Sequence, residues 1–503
     1  MKDFVARALN TAVSRGARYA DVRMMESRNQ AVTIKDGKVD SLGDSESMGF
    51  GVRVLVDNSW GFASSAEISN VEVDRVAALA VEIAKASARV PGERVDLGPA
   101  VRSAGVYSTP MKIDPFAVSL EDKLDLLLRA DAGMRRNPGV KVSESGVLCV
   151  RHHKTFANTE GADIEQTIYE CGGSIAATAV NDADIQVRSY PNSFRYQGAA
   201  GWEYIVATDF AGNAERVAAE AVALLSADEC PSGDRTLILG SSQLALQIHE
   251  SCGHPTELDR VYGTEAAYAG RSFLTTDKRN NFRYGSSIVN LTADSVRSTG
   301  LGTFGWDDEG IPSSSTPLVH EGQFTGYLMS RETASQLGLT SNGCMRAESW
   351  NRIPLIRMTN VSLEPGTSEL EDMIAGTDDG VFMETNRSWS IDDMRLNFQF
   401  GTEIGYEIKK GKRGRLLKNC TYAGITPDFW NSCDAIANEK HWKLWGTPNC
   451  GKGEPMQTIG TGHGAAPARR ARYEPPRPSR ESRAGRRAPA ARRNRCRSPH
   501  WTA

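Results

Sequence analysis

The first half of the chain alternates between helical and strand-like hydrophobic patterns. Four stretches carry apolar residues three or four positions apart, which predicts helices. These stretches are residues 1–15, 70–88, 120–136 and 213–226. Residues 19–24 and 140–206 alternate like half-buried strands instead, and no regular βαβ repeat is present, so the pattern predicts a mixed α+β domain over residues 1–226. The turns predicted between the early strands lie at Asp36-Gly37 and around Gly49 and Gly51.

A polar, turn-rich stretch at residues 227–234 marks the predicted domain boundary. The apolar run that follows, residues 236–240, is typical of a buried strand, and Ser241 is expected to begin a helix. Farther on, short strand-like pieces are separated by Gly, Pro and Asn. The pattern therefore predicts a β-rich second domain over residues 227–464.

Residues 465–503 form a tail that is rich in arginine and proline and has few large apolar side chains. Such a segment cannot bury enough apolar surface to offset the loss of chain entropy, so we expect it to be disordered. Its composition is equally typical of a genuine basic tail and of a shifted reading frame.

The tail and the body of the chain carry opposite charge. Residues 469–503 hold twelve Arg and two Glu, a net charge of +10, whereas the whole chain carries −3. The acidic body disfavours nucleic acid as a general partner, because phosphate contacts need cationic side chains. Only the tail is expected to bind nucleic acid, through non-specific contacts that weaken with salt.

The composition, 40% hydrophobic and 24% charged in 503 residues, is typical of a soluble globular protein. No apolar run approaches the roughly 18 residues that span a bilayer, so no membrane partner is expected. Because Asp3 lies near the start and no apolar segment follows it, we expect no secretory signal. The nine cysteines are then expected to be reduced thiols or metal ligands in a cytoplasmic protein.

Two histidines flank a glutamate in the segment His249-Glu-Ser-Cys-Gly-His254. In zinc hydrolases two imidazoles bind the ion, and a neighbouring Glu takes a proton from the attacking water. A five-residue separation puts the two side chains about 140° apart on an α-helix, too far to bind one ion. A wider π-type turn reduces this angle to roughly 50°. The spacing therefore predicts an HExxxH helix that is locally widened or that ends before Pro255.

Two interpretations of this segment are open at this point. In one, a surface helix ends beside two unrelated histidines and Glu250. In the other, these residues form a metal site, which is favoured by the concentration of two of the eight histidines in six residues and by the apolar residues 244–248 before them. A catalytic zinc site needs a third protein ligand, and cysteines lie downstream.

Together with these residues, several other motifs resemble the TldD/PmbA family of zinc metalloproteases, and specifically its TldD-like subunit. The resemblance covers most of residues 1–468, and the histidine segment is its discriminating feature because PmbA-like subunits lack it. The other matching motifs are Tyr19-Ala-Asp-Val-Arg23, Asp36-Gly37, Gly49-Phe-Gly-Val-Arg-Val54, Arg357-Met-Thr-Asn360, Pro365-Gly366 and Cys450-Gly-Lys-Gly453. The chain departs from the family after Gly464, where no alternating apolar residues follow to form a closing strand.

The resemblance implies a zinc ion (Zn2+) held by His249, His254 and Cys450, with Glu250 as the general base. It implies an α+β N-terminal domain followed by a β-rich catalytic domain. It also implies a homodimer, or a heterodimer with a PmbA-like subunit, that cleaves unfolded or extended peptides. Two imidazoles and one thiolate would leave a fourth tetrahedral position for water.

Further residues are candidates for supporting roles. Glu257 and Asp259 are candidates to orient a ligand, and His463 is a candidate to line the cleft. Cys252 is expected to pack as a small hydrophobic residue. The other polar candidates are the cluster of Cys149, His152 and His153, of whose histidines at most one can join a site, and the possible substrate contacts Arg346, Trp350 and Arg357.

The sequence therefore predicts a zinc-dependent peptidase that acts on unfolded or extended peptides. The alternative is a non-catalytic regulatory or binding protein that uses the acidic body and the basic tail, for example a modulator of a nucleic-acid enzyme. The two hypotheses differ in whether His249, Glu250, His254 and Cys450 come together, since a binding protein has no need of that arrangement.

Overall fold

The computed structural model describes residues 2–471, apart from residues 91, 93, 94, 194, 195 and 269. Its N-terminal part contains one mixed sheet. The strands are β1 (Tyr19–Lys35), β2 (Lys38–Val56), β3 (Ser59–Ser65), β4 (Ala104–Ser108), β5 (Val140–Asn158), β6 (Asp163–Val180), β7 (Ile185–Tyr190) and β8 (Tyr196–Gly198). They are ordered β3-β2-β1-β5-β6-β4, and β7 and β8 also pair with β6.

Five helices accompany this sheet, and the four longest pack on one of its faces. They are α1 (Lys2–Ser14), α2 (Asn70–Ser87), α3 (Leu120–Arg135), α4 (Glu203–Thr208) and α5 (Phe210–Leu225). Side chains alternate between the two faces of a strand. Val22 of β1 packs in the core beneath α1 and α2, and Val32 of the same strand packs in the core beneath α3 and α5. The opposite face, which carries Asp21 and Arg23, meets the C-terminal part of the chain.

These elements confirm the predicted α+β class and each of the four predicted helices. One local prediction was wrong, because Gly49 and Gly51 lie inside the continuous strand β2 and not in a turn. Both glycines allow a close approach: a Cβ atom on Gly49 would lie 2.3 Å from the ring of Trp350. No helix in the described part of the chain is both long and apolar enough to cross a membrane.

The C-terminal part is rich in strands, as the sequence predicted. The strands are β9 (Asp228–Glu229), β10 (Thr236–Leu239), β11 (Leu291–Asp294), β12 (Ser315–His320), β13 (Gln323–Phe324), β14 (Met345–Arg346), β15 (Leu355–Ile356), β16 (Asn360–Leu363), β17 (Asp379–Ile391), β18 (Asn397–Lys409), β19 (Lys412–Lys418), β20 (Thr421–Ile425), β21 (Cys433–Ile436), β22 (Lys443–Lys452), β23 (Gln457–Ala465) and β24 (Ala468–Arg470). One sheet has the order β21-β24-β10-β17-β18-β19-β9, with β20 beside β18, and a second has the order β13-β12-β11-β16-β23-β22. Strands β14 and β15 form a separate pair.

Helix α6 connects the two larger sheets. The C-terminal helices are α6 (Ser241–Ile248), α7 (Leu258–Tyr262), α8 (Arg331–Gln336), α9 (Leu370–Ala375) and α10 (Thr426–Asn431). Helix α6 follows β10 directly and packs against β17 of one sheet and β23 of the other. Its apolar residues Leu244 and Ile248 are fully buried. The helix that precedes the two candidate histidines is therefore fixed from both sides.

The ordered fold continues past residue 464, where the sequence predicted the tail to begin. Ala468–Arg470 form β24, which lies between β10 and β21 and pairs antiparallel with both. This segment takes the place of the closing strand that the pattern did not predict. Residues 472–503, which hold most of the predicted disordered tail, lie outside the described residues.

A buried network of charges joins the two parts of the chain. Arg53 of β2 donates to Asp21 at 2.7 Å and lies 3.4 Å from Glu309 of the C-terminal part. The side chains of all three residues are at least 92% buried. Nearby, Lys154 of β5 pairs with Asp308 at 3.2 Å. These cations compensate carboxylates that would otherwise be buried without a partner.

Replacing Arg53 by Met should lower the free energy of unfolding by about 3–5 kcal/mol, because Asp21 and Glu309 would remain buried with too little positive charge. Denaturant titration at neutral pH measures this change. Arg75→Met is the matched control, since Arg75 pairs with Glu72 at the surface and its loss should matter far less. Equal losses in the two variants would show that the buried network does not stabilise the interface.

Candidate metal centre

The chain leaves α6 through a widened turn that carries the first candidate ligand. Residues His249–Gly253 form a π-helical turn, and His254–Thr256 form a single 3₁₀ turn with Pro255 at its second position. The two imidazole rings lie with centroids 4.8 Å apart and ring planes at 87°. The local widening predicted from the five-residue spacing is therefore confirmed, and it turns both rings toward one point.

Gly253 is required in this turn by packing. Its φ of −70° is open to any residue. A Cβ atom at this position would lie 1.9 Å from the sulfur of Met358, which packs directly on the turn. Close contact with Met358, and not backbone freedom, therefore requires glycine at this position.

Cys450 reaches the two histidines from the hairpin of β22 and β23. Its Sγ lies 3.6 Å from Nε2 of His254, and the ligand atoms of His249, His254 and Cys450 all lie within 4.8 Å of one another. All three residues are buried. Tetrahedral bonds of about 2.1 Å to nitrogen and 2.3 Å to sulfur place two such ligand atoms about 3.6 Å apart. The structure thus brings together the three residues predicted as ligands, at a separation that suits one metal ion.

A second pair of contacts fixes the tautomer of His249. His463 of β23 donates from Nδ1 to the carbonyl of Val361 at 3.0 Å, so its Nε2 is an acceptor. His249 therefore donates from Nδ1 to that Nε2 at 2.7 Å, and the hydroxyl of Thr461 lies 3.1 Å from the same nitrogen. This arrangement leaves the lone pair on Nε2 of His249 for a metal. His463 therefore orients His249, whereas the sequence made it only a candidate to line the cleft.

His254 is oriented in the same way by a carboxylate. Its Nδ1 lies 3.0 Å from Glu257, which leaves Nε2 facing Cys450. Glu257 is fully buried and lies 3.4 Å from both Lys452 and Arg260. Of the two acids predicted to orient a ligand, Glu257 therefore contacts a histidine, whereas Asp259 binds Lys452 at 2.8 Å.

Burial and charge give each group the protonation state that a ligand needs. Burial lowers the pKa of His249 and of His254, so both imidazoles are neutral at physiological pH. Burial alone would raise the pKa of the Cys450 thiol, but the positive charge of Arg357 lowers it, which favours the thiolate. For Glu257 burial opposes ionisation as well, and Lys452 nevertheless holds the pKa of this carboxyl well below its usual range.

Glu250, the predicted general base, points toward an arginine that the sequence did not single out. Oε2 of Glu250 accepts a hydrogen bond of 2.6 Å from Arg395, which lies in the connection between β17 and β18. Arg395 has a φ of +61°, an unusual value for a residue with a side chain. The side chains of Glu250 and Arg395 are 8% and 14% exposed, so the pair is nearly buried.

The remaining predicted candidates lie elsewhere or have other roles. Cys252 is buried and packs against Tyr284, as expected. Arg357 is fully buried and donates to the carbonyl of Cys450, so it supports the ligand strand and has no surface open to a substrate. The other four candidates lie apart from the cluster. His152 contacts Ser27, and His153 contacts Thr167. Cys149 lies 3.7 Å from Cys171, and Trp350 donates to Ser47.

Three family models of metallopeptidase domains match the chain. The model of the PmbA/TldA metallopeptidase domain 1 matches residues 20–84, that of the central domain matches residues 113–226, and that of the C-terminal domain matches residues 232–469. By these matches the chain falls in the class of the metallopeptidases. Within this class, the chain belongs to the PmbA/TldD family.

Individual relatives agree with this assignment. A protein named metalloprotease from Methanocaldococcus jannaschii is 29% identical over 448 residues, which cover 89% of this chain and 95% of that protein. A protein named zinc metalloprotease TldD homolog from Saccharolobus solfataricus is 23% identical, over 84% of this chain and 90% of that protein. The crystal structure of TldE from Thermococcus kodakarensis has a TM-score of 0.71 at 15% identity and covers 93% and 99% of the two chains, which shows a shared fold.

Replacing His463 by Leu should weaken metal binding by about 10–100-fold, because His249 loses the acceptor that holds its tautomer. His463→Gln, which keeps an acceptor oxygen, should retain part of the affinity. Competition with a chromophoric chelator measures both values. His152→Gln removes another enclosed histidine away from the cluster and should leave the affinity unchanged; unaltered affinity in His463→Leu as well would exclude the positioning role.

Proposed function

We propose that the chain is a cytoplasmic zinc-dependent peptidase that hydrolyses unfolded or extended peptides. One observation carries the proposal: two imidazoles and a thiolate converge in a buried cluster, and both imidazoles are held in the tautomer that presents Nε2. This arrangement brings together residues about 200 positions apart in the chain. A purely regulatory or binding protein has no need of it, so the alternative function is not favoured.

The donor set supports zinc as the metal. Two nitrogen atoms and one sulfur atom are typical zinc ligands, whereas Mg2+ and Ca2+ prefer oxygen. The name of the relative from Saccharolobus solfataricus points to the same metal. His249, His254 and Cys450 would hold the ion. When bound, zinc supplies a Lewis acid that polarises the scissile carbonyl and lowers the pKa of a water molecule.

The proton transfers are assigned to Glu250. Its carboxylate takes a proton from the attacking water and delivers it to the leaving amide nitrogen as the peptide bond breaks. Arg395 holds Oε2 at 2.6 Å, which orients the carboxylate and leaves its other oxygen for the water. Because the pair is nearly buried, few solvent molecules compete for these contacts.

A groove beside an edge strand supports an extended peptide as the substrate. Two adjoining cavities of about 810 and 460 Å³ share Phe62, Ile353 and Leu355 in their walls. Phe62 belongs to β3, which is the edge of its sheet and can pair with an added strand. The other walls include Asp259 and Gly453, which follow His254 and Cys450 closely in the chain. The proposed assembly is a dimer, with an identical or a PmbA-like subunit.

The Glu250→Gln variant should keep its metal and lose peptide cleavage by at least about 100-fold, because the amide cannot take up the proton. Elemental analysis gives the metal content, and mass spectrometry of an unfolded test peptide gives the cleavage rate. Glu369→Gln, which alters a surface glutamate beside His441, is the matched control and should cleave normally. Cleavage by Glu250→Gln at the wild-type rate would falsify the assigned role.

Arg395 is assigned as a positioning residue for Glu250. Replacing it by Met should lower kcat by about tenfold or more with little change in KM, since one charged hydrogen bond to the carboxylate is lost. Arg395→Lys should restore part of kcat because it keeps the charge. Steady-state kinetics on one peptide separates the two parameters, and a change confined to KM would assign Arg395 to substrate binding instead.

A further inference from the structure

A cavity of about 480 Å³ lies between the N-terminal sheet and the C-terminal part, apart from the three candidate ligands. Strands β5 and β6 supply one wall, with His152 and Glu170. The opposite wall includes Arg346 of β14 and residues 458–460 of β23. The cavity thus combines charged groups from two parts of the chain, as many ligand sites between domains do.

Two opposite charges face this cavity without touching. The structure describes both Glu170 and Arg346. These two side chains attract each other electrostatically, but they form no direct ion pair. Burial raises the pKa of Glu170 to about 7 and lowers the pKa of Arg346 to about 10, so burial disfavours both charges. One guanidinium nitrogen of Arg346 donates to the carbonyl of Met358. Lys154, another cation in the wall, already pairs with Asp308. Glu348 and Arg352 add one charge of each sign to the lining.

Polar atoms around these charges also lack partners. Arg346 is 8% exposed, and its Nε has no hydrogen-bond partner among the residues described here. Gln197 is 1% exposed; its Nε2 donates to Glu170 at 3.1 Å, and its Oε1 has no partner within the same described ranges. Buried polar atoms without partners are costly, and a bound polar ligand would satisfy them.

The charges define the chemistry of the ligand. A simple anion would be attracted by Arg346 and repelled by Glu170, and a simple cation would meet the opposite problem. A molecule with one positive and one negative end satisfies both groups. We propose that this inter-domain cavity binds a zwitterionic α-amino acid or short peptide, with its carboxylate on Arg346 and its ammonium group on Glu170.

His249, His254 and Cys450 do not line this cavity, although β22 and β23 contribute to both the cavity and the candidate metal centre. Pro448 and Ile459 line the cavity, and Cys450 lies opposite Ile459 in the hairpin. Amino acids and short peptides are also the products that a peptidase releases. The binding proposal does not depend on peptidase activity, because binding is measured directly.

Isothermal titration calorimetry of the full-length chain with glycine, diglycine and triglycine tests the proposal. At least one of these zwitterions should bind in a saturable manner, and the series distinguishes an amino acid from a short peptide. Glycinamide has only the positive end and acetate only the negative end, so both should bind at least tenfold more weakly than the best zwitterion. Equal binding of all these probes, or binding of none, would overturn the proposal.

Two variants locate the binding site. Glu170→Gln and Arg346→Met should each weaken binding at least tenfold, whereas Glu165→Gln, on the exposed part of the same strand β6, should not. Arg346→Lys should give an intermediate affinity because it keeps the charge but loses the planar fork. Unchanged binding in Glu170→Gln and Arg346→Met would refute the assignment; if a variant fails to fold, the ligand series on the wild-type chain still decides.

Repeating the calorimetric titration after treatment with a chelator tests whether the candidate metal centre causes the binding. Amino acids can bind metal ions through their own amine and carboxylate. Binding at the inter-domain cavity should persist within about twofold after metal removal, whereas binding that disappears with the metal would place the ligand at His249, His254 and Cys450 and sink the proposal.

Discussion

The hydrogen bond from His249 to His463 ties together the elements that surround the candidate metal centre. It forms only if β23 lies beside both α6 and β16, because His463 must accept from His249 and donate to the carbonyl of Val361 at once. Helix α6 packs on β23 for the same reason that it packs on β17, through a continuous buried apolar surface. The two sheets, the helix between them and the widened turn together hold one imidazole in one tautomer.

The second imidazole requires buried charge, and the chain compensates that charge locally. Glu257 fixes His254 but is itself fully enclosed, which would be unfavourable without cations. Lys452 and Arg260 supply them. Lys452 follows Cys450 by two residues, so one short segment carries both the candidate ligand Cys450 and the cation that stabilises the carboxylate behind His254. The spacing of Cys450-Gly-Lys452 therefore has a physical reason, which is that it places Lys452 beside Glu257.

The sequence predicted those features that depend on neighbouring residues. Helix positions, the α+β class and the π-type turn all follow from spacing within a few residues, and arithmetic on one helical turn was enough for the last. Contacts between residues that are distant in the chain could not be predicted from such local spacing. Only the family resemblance implies Cys450 as a ligand. No local pattern predicts Arg395, because the pairing of β17 with β18 brings the connection that carries it to Glu250. The sequence predicts turns at Gly49 and Gly51, whereas Gly49 is in fact needed to make room for the ring of Trp350. No local pattern indicates this contact, because Trp350 lies about 300 residues away.

The segment Ala468–Arg470 shows how little a central strand depends on its own side chains when its neighbours are in place. Its composition predicted disorder, yet it pairs with β10 and β21. Strand pairing uses backbone groups, and only Ala468 must fit in the core, while Arg469 extends to Asp434 and Arg470 to the hydroxyl of Ser432. Since β10 leads directly into α6, this closing strand also protects the edge of β10, the strand that precedes the turn carrying His249 and His254.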